Sequence, residues 1–217
     1  MFAYFTGHRS EILAELWSHV QLAVIPVIIG LIIAVPLGWV AARFKWAYPP
    51  LISVAGLIYT IPSLVLFVAM PGILGTQILD VVNVIVALAA YAVALLVRVV
   101  ADGLASVPAD AKQAATAMGY KPLGRFFAVE LPLAVPVIAA GVRVATVSNV
   151  SLVTVATLIG TSQLGTLFSD GFSAGTDQSS PILLGIVLCI VLALVLDFAI
   201  QFATRALTPW LRAVPKT

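Results

Sequence analysis

Five apolar blocks, each about as long as a helix needs to cross the hydrocarbon core of a bilayer, constrain this chain more than any other feature. They run from about Val20 to Ala42, Leu51 to Met70, Val81 to Val100, Leu133 to Val155 and Ile182 to Ala203. Prolines, glycines or charges bound each block, as expected of helices that end at an interface. Only 9% of residues are charged and 62% are hydrophobic, against roughly 25% charged in soluble domains, so a water-exposed surface cannot be built. The reading is an all-α polytopic membrane protein. Residues 1–217 are expected to form a single transmembrane domain with about five spans, because the segments between the blocks are too short for a soluble domain.

The flanking residues set the expected orientation. Arg43 and Lys45 follow the first block and Arg98 ends the third. Lys112, Lys121 and Arg125 lie in the next connection, and Arg205, Arg212 and Lys216 in the tail. The opposite side keeps only Arg9, and loops 71–80 and 160–180 have no Lys or Arg. The positive-inside rule then predicts an outside amino terminus and a cytoplasmic carboxyl terminus. Residues Ser10 to Ser18, with Ile12, Leu13 and Leu16 beside Glu11 and Glu15, predict a short amphipathic helix on the membrane face. Trp17, Trp39, Trp46 and Trp210 fall near block ends and read as interfacial anchors. The single cysteine, Cys189, can form no disulfide within the chain. A net charge of +2 gives no reason to expect nucleic acid.

The longest cytoplasmic connection, about residues 101–131, carries the most information. Pro108-Ala109-Asp110 reads as a helix start, with Asp110 near the positive end of the helix dipole. Ala111 to Met118 favours helix and Gly119 supplies a carboxyl cap. Lys121-Pro122 blocks continuation, a second helical stretch covers about Leu123 to Glu130, and Leu131-Pro132 opens the fourth span. A protein docking on such a short helix would move two spans together.

Gln113-Ala114-Ala115, three residues, Gly119, nine residues, Val129, one residue and Leu131-Pro132 resemble the cytoplasmic loop signature of ABC importer permeases. Gln113 and Val129 stand where that family has Glu and Ile. Thr60-Ile61-Pro62-Ser63-Leu64, Tyr91 with Arg98, Leu131 to Pro136, Gly141 to Ala145, and Ile159-Gly160 with Leu164-Gly165 resemble the subfamily for quaternary-ammonium osmolytes such as glycine betaine, choline and carnitine. Departures are Ala94 to Val99, where that subfamily carries a proline and an Arg-Asn pair, and Ser162-Gln163, where it more often has glycines.

The resemblance implies a type I ABC importer permease fold in a bacterial inner membrane. The loop would couple to a cytoplasmic ABC ATPase through Gln113, Ala114, Ala115, Gly119, Leu131 and Pro132. It also implies a second permease copy, identical or related, an extracytoplasmic substrate-binding protein docking on about Gly160 to Ser180, and surrounding lipid. Transport would proceed by alternating access. No phosphate loop Gly-x-x-x-x-Gly-Lys-Ser/Thr occurs, so the chain is expected to hold no cofactor and not to be an enzyme; ATP and Mg would belong to the partner ATPase. Methionine or another amino-acid-like solute is the alternative cargo, and a membrane scaffold without transport the rival of another class.

Candidate pathway residues are Tyr59, Pro62, Tyr91, Arg143 and Asn149. Aromatic rings suit a quaternary ammonium ion, and Pro62 removes a backbone hydrogen bond and kinks its span; ordinary helix packing is the other reading of Tyr59, Tyr91 and Pro62. Arg143 lies deep in the fourth span, where a charge faces a bundle interior or aqueous cavity; a pathway role and a subunit-interface role both fit. Ser148, Asn149, Ser151 and Thr154 form a polar stripe that reads first as glue between helices. Asp197 reads as reaching toward the cytoplasmic interface. His8 and His19 stand alone near the outer surface and offer no metal or catalytic set.

Overall fold

The computed structural model describes residues 2–173 and 179–212; Lys216 and residues 174–178 of the expected outer loop lie outside them. Among the described residues the chain is helical. A short α1 (Phe2–Gly7) precedes α2 (Arg9–Arg43), α3 (Tyr48–Thr60), α4 (Ser63–Leu74) and α5 (Val81–Ala105). Next come α6 (Ala109–Ala117), α7 (Pro122–Arg125), a π-helical turn at Phe126–Glu130 and α8 (Leu131–Val155). A 3-10 turn (Ala156–Ile159), α9 (Thr166–Ser173) and α10 (Ser179–Leu207) complete the bundle. Among the described residues, α2, α5 and α10, with the run from Pro122 to Ile159, are long and apolar enough to cross a membrane; α3 and α4 reach that length only as a pair, bent sharply between them.

Helix α5 sits at the centre, packed against α2, α3, α4 and α8. Small residues permit this. A Cβ added at Gly30 on α2 would lie 2.5 Å from the Ala92 Cβ, and one at Gly141 on α8 would lie 2.4 Å from a Val99 methyl. In lipid, close backbone approach and the dispersion contacts it allows replace the hydrophobic drive that packs soluble helices. Two buried clusters stack along α5. One, around Phe67, Leu88, Val153 and Leu167, lies at its amino-terminal end. The other, around Leu96, Val100, Leu104 and Phe126, lies toward α6.

The structure departs from expectation in four places. The segment Ser10 to Ser18 is not a separate interfacial helix; it continues without a break into the first span as part of α2. The Pro62 span is broken rather than kinked. Ile61 precedes proline, which pushes it out of the helical region, and it is extended at ψ 130°; α3 and α4 meet at 104°. Trp39 is more than an anchor, because its ring packs on Phe126 at 5.7 Å between centroids. His19 does not stand alone: its ring is fully buried, against Gln163 and the Val150 carbonyl.

Candidate functional site

The α6 segment is positioned by its ends. Asp110 lies in the first turn and Gly119 follows the last. Gly119 has φ +87°; its N–H donates to the Thr116 carbonyl at 3.0 Å and the Tyr120 N–H to the Ala115 carbonyl at 3.1 Å. This pair of bonds is the Schellman closure, which satisfies carbonyls the helix leaves open. A Cβ at Gly119 would meet nothing within 4 Å, so backbone conformation, and not space, requires glycine. Ala115 is buried whereas Gln113 and Ala114 are exposed. Lys112 Nζ donates to the Leu104 carbonyl at 2.9 Å, fixing α6 to the end of α5.

The return to α8 is equally constrained. Arg125 donates to Glu130 at 2.6 Å and to the Thr116 hydroxyl at 2.9 Å, tying α7, the π turn and α6 together. Pro132 has no N–H for the Ala128 carbonyl, and the preceding turn widens so that the Leu131 N–H reaches Phe126 instead. Phe126 is buried, while Met118, Tyr120, Leu123 and Phe127 are 43–69% exposed. The segment therefore carries apolar side chains outward on a scaffold held rigid by capping, ion pairing and one buried aromatic ring.

A cleft of about 310 Å³ lies where α3 breaks from α4, lined by Tyr59, Ile61, Ser63, Tyr91, Ser148, Ser151 and Leu152. Tyr59 and Tyr91 meet edge to face at 5.8 Å. The Tyr91 hydroxyl donates to the Ile61 carbonyl, which the break leaves without a helical partner. Asn149 lines a smaller recess behind the two rings, and its amide donates to the Ala23 carbonyl of α2 at 3.3 Å. Aromatic faces beside hydroxyls can hold a small cation with a polar tail.

Of the five residues expected along a pathway, the structure brings Tyr59, Tyr91 and the Pro62 break to one cleft and Asn149 behind it. Arg143 is elsewhere. Its guanidinium makes two 2.7 Å hydrogen bonds to Asp197 of α10, a bidentate pair joining α8 to α10. Asp197 thus has a partner within the chain and does not merely reach for the interface. Sequence reasoning did not find the Arg125–Glu130 pair, although Arg five residues before Glu in a helical stretch was a local signal. It also missed the pairing of His19 with Gln163, 144 residues away, for which no local signal exists.

Comparison with known proteins matches residues 34–212 to the family model described as binding-protein-dependent transport system inner membrane component. The osmoprotectant import permease protein OsmW of Salmonella typhimurium is 32% identical, covering 80% of this chain and 81% of that protein. The choline transport system permease protein OpuBB of Bacillus subtilis is 35% identical, covering 71% and 70%. The glycine betaine/carnitine/choline permease protein OpuCD of Bacillus subtilis is 29% identical, covering 95% and 88%. Among solved structures, an inward-facing form of the MetNI methionine ABC transporter aligns with TM-score 0.79 at 20% identity, over 93% of this chain and 98% of that one. An amino acid ABC transporter gives 0.75 at 18%, over 95% and 98%. At these identities the two structures establish the fold.

Proposed function

The chain belongs to the binding-protein-dependent transport system inner membrane component family, and from that premise we propose that it is the permease subunit of an ATP-driven importer for a quaternary-ammonium osmolyte. The relatives above are named for osmoprotectant, choline, carnitine and glycine betaine transport, which supports this class over methionine. The observation that carries the coupling half is the α6 segment, capped at Gly119 and bearing exposed apolar side chains between two membrane-length helices. We assign Gln113, Ala114, Ala115 and Gly119, with Leu131 and Pro132, to the surface that a cytoplasmic ABC ATPase engages.

On this reading the ATPase subunits bind ATP and Mg. A second permease copy completes the pathway, and an extracytoplasmic binding protein delivers the cargo. The α6 end faces the cytoplasm, in accord with its Lys and Arg content. Tyr59, Tyr91, Ser63 and Ser148 form a low-affinity surface for the ammonium ion beside the Pro62 break, and Asn149 holds α2 behind it. Arg143 braces α8 against α10 and does not touch cargo.

The test is binding-protein-dependent ATP hydrolysis by the purified complex in liposomes, with glycine betaine, choline, carnitine and methionine compared. Stimulation by a quaternary amine is the expected result. Stimulation by methionine alone would overturn the cargo assignment, and failure to copurify an ATPase would overturn the coupling assignment.

A further inference from the structure

Arg98 and Arg143 both lie inside membrane-length helices, and the structure treats them differently. Arg143 gives two hydrogen bonds to Asp197. Arg98 stands on α5 seven residues before Ala105, about 10 Å along the axis from the helix end. Among the described residues its guanidinium has one charged partner, Asp102, with Nε 3.7 Å from Oδ2. That separation is too long for a hydrogen bond, and the other Asp102 oxygen accepts from the Tyr48 hydroxyl at 2.9 Å. The Arg98 side chain is 67% exposed, so its N–H groups are available to another acceptor. A charge at such depth normally faces a bundle interior or an aqueous cavity.

Arg98 lines a cavity of about 340 Å³ between α3 and α5, together with Tyr59, Ile52, Ala55, Leu95 and Val99. That volume is in the range of small-ligand sites. Tyr48 meets Asp102 and Tyr59 meets Tyr91, so α3 runs antiparallel to α5. Tyr59 therefore lies toward the Pro62 end of the cavity and the guanidinium toward α6, with apolar walls between them. Asp102 stands one turn beyond Arg98, outside the lining, so the charge that the cavity presents is positive. Tyr59 also lines the cleft at the Pro62 break, and the two spaces meet at its ring.

This arrangement complements a molecule that carries a quaternary ammonium at one end and a carboxylate at the other. A ring face attracts the ammonium, apolar walls receive its methyl groups, and a guanidinium pairs with a carboxylate through parallel N–H bonds. Choline carries a hydroxyl in place of the carboxylate and brings only positive charge toward Arg98. Between apolar walls that repulsion is screened less than in water.

We propose that this cavity is a betaine site, in which Arg98 receives the carboxylate and Tyr59 the ammonium. The permease itself then prefers zwitterionic, carboxylate-bearing quaternary amines to choline. This assignment rests on the quaternary-ammonium reading above and narrows it. Arg98 acts as a specificity residue and not only as a positive charge that orients α5 in the membrane.

The test uses the assembled permease–ATPase complex in lipid nanodiscs without the binding protein, whose own preference is thereby removed. Glycine betaine and choline are titrated in turn, and binding is read by ligand-observed saturation-transfer NMR. The wild-type complex should bind glycine betaine about tenfold more tightly than choline. Arg98→Gln should weaken glycine betaine by about that factor and leave choline unchanged or tighter. Arg98→Lys, which keeps the charge, should retain most of the preference, and Tyr59→Leu should weaken both ligands. Choline binding to the wild type as tightly as glycine betaine overturns the inference, as does an Arg98→Gln variant that weakens both equally or neither. The proposed function survives either result. If neither amine binds, the ATPase assay above separates the two claims. Hydrolysis stimulated by a quaternary amine then removes the cavity assignment alone, and stimulation by methionine alone removes both.

Discussion

At the α6 end of the bundle Met118, Tyr120, Leu123 and Phe127 stand exposed, whereas at the opposite end Gln163 and His19 are closed off completely. The first end holds its shape with backbone devices, chiefly the left-handed Gly119 and the π turn before Pro132, and leaves apolar side chains free. The second holds its shape with side chains that reach across sequence: Ser18 to the Ser162 carbonyl at 2.9 Å, His19 to Gln163 and Val150, and Asn149 to Ala23. On the proposed function the α6 end receives another protein, and such a surface keeps its side chains available and fixes its backbone locally. A surface that must hold several helices in register spends its polar groups internally, where lipid offers no competing water.

The largest effect should come from removing the hub of the closed end. Gln163→Ala leaves the Gly165 N–H and the His19 ring without their buried partner, at about 1–3 kcal/mol for each, and should give the steepest fall in melting midpoint among these variants. If its midpoint matched the wild type, the closed end would not be held by side chains, and the contrast would fail.

Gly119→Val tests the other end. A β-branched residue in left-handed backbone costs about 1–2 kcal/mol, and the cost falls on a local cap, so global melting should move less than in Gln163→Ala. ATP hydrolysis driven by the binding protein should drop roughly tenfold, on the scale of 1.4 kcal/mol per decade. Unchanged coupling would remove α6 from the proposed transmission path.

The Arg143–Asp197 pair, midway between the ends, sharpens the comparison further. Arg143→Met and Asp197→Leu should each lower the melting midpoint by stranding a charge, and the double variant should recover much of the loss. A double variant no better than either single one would show that the pair does more than neutralise itself. Ser18→Ala should have the smallest effect, about 0.5 kcal/mol, because its single bond is partly exposed to competing solvent. A loss as large as that of Gln163→Ala would mean that Ser18, and not the glutamine, organises the turn.

What was legible in the sequence was local. Apolar blocks of bilayer length gave the spans, and the glycine at position 119 and the proline at 132 marked the ends of the connecting segment because φ above zero and a missing N–H are properties of single residues. Tertiary structure decided the rest. Whether Pro62 kinks or breaks its span depends on what catches the freed Ile61 carbonyl, and Tyr91, 30 residues on, does so. Arg143 could have faced a pathway until Asp197, 54 residues away, took its guanidinium. His19 became a buried, hydrogen-bonded ring only when Gln163 arrived from 144 residues away. The physical reason is the range of the interactions: backbone preferences are written residue by residue, whereas the partner of a buried polar side chain is fixed by how helices pack, and packing is a property of the whole bundle.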